Sequence, residues 1–223
     1  MAYILNIETA TRNCSVSISA SGEVISLREV AESGYSHAEK LHVFFEEVLL
    51  ESKITFSELS AIAVSRGPGS YTGLRIGVSA AKGLSYALRI PLISTDTLQA
   101  LAMQANVSEG LVIPMIDARR MEVYSAIFDT RGNSQREIMA QIIDENSFSD
   151  ITEKIHIVGD CADKCKPVLT GPNITFLEDI VFPSASSMAQ LSFDKFIKSE
   201  FEDVAYFEPY YLKDFLIASK KQH

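Results

Sequence analysis

Short apolar runs alternate with longer amphipathic segments along the chain. The short runs predict strands, and the longer segments predict helices, the first of which opens with a capping box formed by Ser36 and Glu39. The elements predicted in the first half are strands at Tyr3–Ile7, Ser15–Ser19, Glu23–Val30, Leu59–Val64 and Pro91–Ser94, and helices from Ser36 to about Ser52, from Gly73 to Arg89, and from Thr95 or Asp96 onward.

The chain turns polar around residues 106–110, and we place there the boundary between two lobes, 1–105 and 106–223. Strands again precede helices in the second half, which predicts an α/β protein with a mixed sheet in each lobe. The elements predicted there are strands at Leu111–Ile116, Glu122–Phe128, Ile138–Ile143 and Ile155–Val158, a polar hairpin at Thr130–Ser134, and a helix at Ser184–Lys198.

The predicted helix from Gly73 to Arg89 carries an unusually wide apolar face. Its apolar and small residues span roughly 220° of the helical wheel, about twice what a helix needs to sit on its own sheet. A partner protein could cover the excess, or the helix could lie between two layers of one domain. The partner-binding residues we predict are Gly73, Leu74, Gly77, Val78, Ala80, Ala81 and Leu84 on this helix, with Leu41, Phe44, Phe45 and Val48 on the first helix.

The first helix also has two apolar residues away from its core face. Val43 and Leu50 fall among glutamates on the opposite side, seven residues apart. They could extend a partner-binding stripe, although single exposed apolar residues are common.

A glycine-rich turn joins the strand at Leu59–Val64 to the second helix and reads Ser-Arg-Gly-Pro-Gly-Ser-Tyr-Thr-Gly-Leu-Arg over residues 65–75. Such a turn could cradle a phosphate at the helix N-terminus, or its glycines could allow close packing. It is neither a Walker A loop nor a GxGxxG motif. Ser70, Tyr71 and Thr72 could hydrogen-bond a ligand, but capping the helix is the usual role of Ser or Thr there.

Composition and charge narrow the classes of function. The 223 residues are 47% hydrophobic and 22% charged, as in ordinary globular proteins. A formal net charge of −9 argues against a protein that binds nucleic acid by itself, because such binding requires clustered Lys and Arg. We expect Cys14, Cys161 and Cys165 to be reduced thiols, and we expect neither a signal peptide nor a membrane span.

Several motifs together resemble the bacterial TsaB (YeaZ) family. They are Asn-Ile-Glu-Thr-Ala at residues 6–10, His-Ala-Glu at 37–39, the turn with Gly67, Pro68, Gly69, Ser70, Tyr71, Thr72 and Arg75, the segment with Asp117, Arg119, Arg120 and Glu122, and Pro-Tyr-Tyr-Leu-Lys at 209–213. The match runs through the whole chain and is densest up to Tyr124.

The resemblance implies a two-lobed, actin-like ATPase fold (ASKHA, ribonuclease H-like). It also implies a role in making threonylcarbamoyladenosine (t6A) beside the anticodon of tRNA. In that family the protein is a cytoplasmic, non-catalytic companion of the transferase TsaD, and the ATPase TsaE joins the pair. We therefore expect a homodimer when TsaD is absent, only indirect contact with tRNA, and ATP or ADP bound only through partners at the complex interface.

The residues themselves favour a companion over a catalyst. The first strand ends in Glu8-Thr9-Ala10, without the glycine of the Asp-x-Gly turn that lets ATP phosphates approach the backbone in this fold. His37 and His42 are five residues apart and point about 140° away from each other on a helix, so they cannot share a metal ion. We therefore predict no catalytic residue and no metal site. An ATP-dependent small-molecule kinase and, less favoured, a glycoprotease-like metallopeptidase remain the alternatives.

The charged segment formed by Asp117, Arg119, Arg120 and Glu122 is predicted to be a tight turn facing the junction of the lobes. It could meet a ligand, but ion pairs that fix the hinge are the preferred interpretation. For the two helices, we expect packing against the equivalent helices of TsaD. On this hypothesis Gly77→Arg or Ala81→Arg abolishes association and leaves the lobes folded.

Overall fold

The computed structural model describes residues 1–31 and 37–213. It contains two five-stranded sheets with helices packed on them. The strands are β1 Tyr3–Glu8, β2 Asn13–Ala20, β3 Glu23–Ala31, β4 Leu59–Ser65, β5 Leu92–Thr95, β6 Leu111–Asp117, β7 Glu122–Asp129, β8 Ser134–Ile142, β9 Ile155–Val158 and β10 Ile174–Phe176. The α-helices are α1 His37–Ser52, α2 Tyr71–Leu88, α3 Thr97–Ala102, α4 Ala162–Cys165 and α5 Met188–Lys198, and a single 3-10 turn spans Phe56–Glu58.

The two sheets share one topology. The first runs β3-β2-β1-β4-β5, and the second runs β10-β9-β6-β7-β8, which is the same order read from the other edge. In each sheet the first three strands are antiparallel and the last two join in parallel. The lobes are therefore a structural duplication, although no repeat is visible in the residues.

Apolar side chains of the first sheet face helices on both sides. Ile7 pairs with Val16 and Val64 in the middle of this sheet, and all three are fully buried on the face covered by α1 and α2. The opposite face packs against α5 through a smaller cluster that includes Ile4 and Met188. A sheet covered on both faces explains why the first strand reads as a nearly continuous apolar run.

Two helices cross the boundary that we placed at residues 106–110. The strands do divide there, but α3 packs against the second sheet, with Leu98 and Leu101 in its core. In return α5 packs against β1, β4 and β5 of the first sheet. Each sheet therefore consists of strands from one half of the chain and buries an apolar face against a helix from the other half.

Most predicted elements are found within one or two residues of their expected ends. The helix predicted from Ser184 begins only at Met188, and β8 begins at Ser134, four residues before the predicted Ile138. Both β10 and α4 were missed because three or four residues carry no periodic pattern. Ser36, the predicted cap of α1, lies outside the described residues. No helix in the described part of the chain is long and apolar enough to cross a membrane.

Candidate functional site

The glycines of the turn before α2 are used for contacts within the chain. A Cβ atom at Gly69 would lie 2.3 Å from the Ala10 carbonyl oxygen, and one at Gly73 would lie 2.1 Å from that of Thr9. At Gly77 a Cβ would lie 2.2 Å from the Thr9 hydroxyl oxygen, which donates a hydrogen bond to the Gly73 carbonyl at 2.8 Å. These contacts favour the packing interpretation of the turn over the phosphate cradle.

Backbone N–H groups at the start of α2 also find their hydrogen-bond acceptors within this chain. The Ser70 N–H donates to the Ala10 carbonyl at 2.6 Å, and the Ser70 hydroxyl accepts from the Gly73 N–H at 3.3 Å, as expected of a helix cap. Thr72 is exposed and Tyr71 is half-buried. The Gly67–Pro68 peptide bond is cis.

The C-terminal segment 208–213, which we call the strap, covers the other side of the turn. The Tyr210 N–H donates to the Arg66 carbonyl at 2.7 Å, and a Cβ at Gly67 would lie 2.7 Å from the Tyr210 carbonyl oxygen. The Arg66 side chain lies over the Tyr210 ring and donates to Asp96 at 2.7 Å. The strap therefore lies where a ligand would have to approach the glycine-rich turn.

The strap also joins the two lobes. The Tyr211 ring lies 5.0 Å from the Tyr71 ring, and its hydroxyl accepts a hydrogen bond from Arg75 at 3.3 Å. Two residues further on, Lys213 forms an ion pair with Glu122 at the start of β7. Three of the residues predicted from the sequence as a family motif, Tyr71, Arg75 and Glu122, thus hold this strap.

The turn between β6 and β7 contains the predicted charged cluster. The Asp117 carboxylate pairs with Lys164 of α4 and accepts from the Arg119 N–H at 2.9 Å. The Lys164 ammonium also donates to the carbonyls of Arg120, at 3.0 Å, and Glu122, at 2.8 Å. Ion pairs do fix this turn, as preferred from the sequence, but the cations are Lys164 and Lys213, and the two arginines form no ion pair among the described residues.

Two acidic groups at the carboxyl ends of strands have a raised pKa. Glu8, at the end of β1, is fully buried, and this burial raises its pKa to about 7, although its Oε1 accepts from the Ala10 N–H at 2.6 Å. Asp160, in the turn that follows β9, is exposed and accepts from the Asp117 N–H at 2.9 Å, and the atoms packed around its carboxyl raise its pKa by partial desolvation. Among the described residues, no group of three or more His, Cys, Asp or Glu side chains could hold a metal ion.

The histidines of α1 do not come together. His37 is buried at the start of the helix, whereas His42 is exposed, with its ring edge-on to Phe45 at 5.4 Å between centroids. Their environments agree with the separate structural roles that their spacing predicts.

Most residues predicted to bind a partner are buried inside this chain. Leu41, Phe44, Phe45 and Val48 of α1 pack in the core of the first lobe, as do Val78 and Ala81 of α2. Leu74 is buried beside Gly67, and Gly73 and Gly77 lie against Thr9. Because these side chains already have neighbours, they have no surface to offer to a partner. Only Ala80 and Leu84 of the predicted set are half-buried. The wide apolar arc of α2 is therefore covered mainly by other parts of the same chain, namely α1, the first sheet and the segment before the strap.

What α1 and α2 present to the outside is a smaller surface, which we call the outer face. It comprises the exposed Val43 and Leu50 of α1 and, on α2, the exposed Gly83 with the half-buried Ala80 and Leu84, which also pack against the core of the first lobe. Leu50 is 81% exposed and Val43 is 47% exposed. A groove of about 500 Å³, lined by Tyr86 and Val204 among others, lies at the C-terminal end of α2. Gly83 is not among the partner-binding residues predicted from the sequence. A glycine inside a predicted helix was the signal that could have identified it.

Comparisons with known proteins agree in fold and family. The family model TsaD, described as tRNA N6-adenosine threonylcarbamoyltransferase, matches residues 31–207. The tRNA threonylcarbamoyladenosine biosynthesis protein TsaB of Escherichia coli (strain K12) is 28% identical over 221 residues, which cover 95% of this chain and 94% of that protein. TsaB of Bacillus subtilis (strain 168) is 40% identical over 82 residues, covering 37% and 36%.

Two solved structures support the fold. YeaZ from Pseudomonas aeruginosa superimposes with a TM-score of 0.83 at 24% identity, covering 95% of this chain and 100% of that one. Component A of (R)-2-hydroxyglutaryl-CoA dehydratase from Acidaminococcus fermentans gives a TM-score of 0.53 at 12% identity, covering 88% and 100%. With the two mixed sheets, these similarities confirm the predicted two-lobed, actin-like ATPase fold.

Proposed function

The chain belongs to the TsaD family of tRNA N6-adenosine threonylcarbamoyltransferases, and on this basis we propose that it takes part in t6A synthesis as a TsaB-type, non-catalytic companion of the transferase. In this role it binds the TsaD-type transferase through the outer face of α1 and α2 and holds it in an active shape. The chemistry on tRNA is carried out by the transferase.

Other parts of this chain block the access of a phosphate group to the glycine-rich turn, which supports a non-catalytic role. An ATPase of this fold needs backbone that phosphates can reach, but the loop after β1 and the loop before α2 touch each other through Ala10 and Gly69. The strap covers Gly67 from the other side. The kinase alternative therefore has no observation in its favour, and the metallopeptidase alternative lacks a metal-ligand cluster in the described residues.

Gly83 carries the argument for a partner on the outer face. A glycine inside a helix costs about 1 kcal/mol relative to alanine, so it normally serves a close contact. Gly73 and Gly77 have such contacts with Thr9, whereas a Cβ at Gly83 would meet no atom within 4 Å. A helix of a second protein crossing α2 at Gly83 would account for this residue, and Val43 and Leu50 lie on the neighbouring helix to extend the apolar contact.

The remaining assignments follow from this role. Without the transferase, the outer face pairs with a second copy of itself, because two-fold symmetry is the usual way to cover a self-complementary patch. A TsaE-type ATPase joins the assembled pair in the cytoplasm. ATP or ADP binds to the complex through the partners and not to this chain alone, and contact with tRNA is made within the complex.

The test is an affinity measurement between this chain and the transferase of its own organism by isothermal titration calorimetry. Gly83→Arg places a long charged side chain on the outer face, where an added Cβ meets no atom of the same chain within 4 Å, so the variant should fold normally and lose most of its affinity for the transferase. Ile197→Arg is the matched control, because Ile197 is 65% exposed on α5, away from the outer face. Equal affinity for both variants and the unmodified chain would refute the assignment of the surface.

A further inference from the structure

Two adjacent arginines at the tip of the β6–β7 turn adopt an uncommon backbone conformation. Arg119 has a φ of 73° and Arg120 a φ of 54°. They are the only consecutive non-glycine residues in the left-handed region among the described residues. Tight hairpin turns that need this conformation usually use Asn-Gly or Asp-Gly, because side chains with a Cβ are disfavoured there. Packing gives no reason for arginine at either position, since both side chains are exposed.

The charges of this turn are compensated unequally. Its two carboxylates are neutralised by lysines from other segments, Asp117 by Lys164 and Glu122 by Lys213. Arg119 and Arg120 form no ion pair among the described residues. In a chain of net charge −9, this leaves two neighbouring guanidinium groups that no carboxylate of residues 1–31 and 37–213 neutralises in an ion pair.

The backbone that carries the two arginines is held firmly. The Lys164 ammonium donates to the Arg120 and Glu122 carbonyls, and the Arg119 N–H donates to the Asp117 carboxylate. A further pair of hydrogen bonds closes the turn, from the Ala118 N–H to the Glu122 carbonyl and from the Glu122 N–H to the Arg119 carbonyl. Both guanidinium groups are thus presented to solvent from a fixed base.

We propose that Arg119 and Arg120 bind backbone phosphates of the tRNA in the assembled complex. This inference rests on the proposed function, since tRNA reaches this chain only within the complex, and it replaces the indirect contact expected from the sequence with a direct one. Guanidinium groups match phosphate oxygens in two-pronged hydrogen bonds, and such contacts position a nucleic acid without reading its sequence. Two phosphate contacts are too few to hold tRNA alone, which agrees with the acidic net charge. The turn also lies close to α2, because the strap runs from Tyr71 and Arg75 to Glu122.

The experiment measures binding of fluorescently labelled tRNA to the complex of this chain with its transferase, between about 50 and 200 mM salt. The test variant is Arg119→Asn combined with Arg120→Gly, which removes both charges and suits the left-handed turn. Loss of two phosphate contacts should reduce the slope of log K against log salt by between one and two. The advantage of the unmodified complex should therefore be about tenfold larger at 50 than at 200 mM salt.

Two controls accompany the variant. Arg119→Lys with Arg120→Lys keeps the charges and should keep most of the salt slope. Arg131→Ala removes an exposed arginine from the β7–β8 turn and should leave the slope unchanged.

The outcomes separate the inference from the proposed function. Light scattering first shows whether each complex assembles. If the unmodified chain does not bind the transferase, the proposed function fails and this inference falls with it. If only the Asn-Gly variant fails to assemble, the arginines contact protein and the inference is overturned. An unchanged salt slope in the Asn-Gly variant overturns the inference too. So does a variant complex that loses Mg-ATP binding but keeps tRNA binding, because the turn would then bind a nucleotide.

Discussion

Replacement of Glu8 by glutamine tests the electrostatics at the end of β1. The Glu8 carboxyl is fully buried, and its pKa is raised from 4.5 to about 7 mainly because burial disfavours the charged form. Between these two values the folded state holds a proton that the unfolded state has released. The free energy of unfolding therefore falls as the pH rises through this window and levels off above pH 7.

The size of the effect follows from the shift. Each pKa unit corresponds to about 1.4 kcal/mol, so the ionised carboxylate costs the folded state about 3 kcal/mol above pH 7. Glutamine keeps an oxygen that can accept the Ala10 N–H and has no charge to bury. We expect Glu8→Gln to gain stability relative to the unmodified chain by up to that amount between pH 5 and pH 8.

Urea unfolding of both proteins at pH 5, 6, 7 and 8 measures this difference. Other titrating groups, such as His37, whose pKa burial lowers, occur in both proteins and cancel in the comparison. Cys14 does not interfere, because burial and, secondarily, the charge of Glu8 raise its pKa to about 12. A stability difference that is constant with pH would refute the reasoning, since it would mean that Glu8 ionises at an ordinary pKa.

Three further predictions concern packing, with stability measured by urea unfolding. Gly83→Ala should stabilise the monomeric chain by about 0.5–1 kcal/mol through better helix propensity, and calorimetry should show weaker binding to the transferase; a gain in both would contradict a helix crossing at this point. Gly77→Ala should destabilise the chain by about 1–3 kcal/mol, because its Cβ meets the Thr9 hydroxyl oxygen at 2.2 Å, and unchanged stability would disprove that contact. Tyr211→Ala should cost about 1 kcal/mol by removing the stack on Tyr71, and no loss would mean that the strap is not held there.

The pattern of the sequence predicts the strands and the two long helices, because period-two and period-3.6 patterns depend only on neighbouring residues. It does not say which neighbour covers an apolar face. The wide arc of α2 suggested a partner at Gly77 and Ala81, but the structure fills those positions with Thr9 and the core of the first lobe. Gly77→Arg and Ala81→Arg are therefore expected to disrupt folding and are not suitable tests of association.

The sequence identified residues of the candidate site but not the contacts that they make. Tyr71, Arg75 and Glu122 stood out in the sequence, but the residues that they contact lie in the strap. Lys213 follows Glu122 by 91 residues, and Tyr211 follows Arg75 by 136. Contacts over such distances leave no local pattern. The same holds for α3 and α5, whose apolar faces were visible while their exchange between the lobes was not.

The central claim is that this chain works as the companion of a transferase. The mass in solution, measured by light scattering for the chain alone and after mixing with the TsaD-type transferase of its own organism, tests it most directly. The account predicts a homodimer alone and a one-to-one heterodimer after mixing. A chain that keeps the same mass in both samples, with the transferase eluting separately, would contradict it.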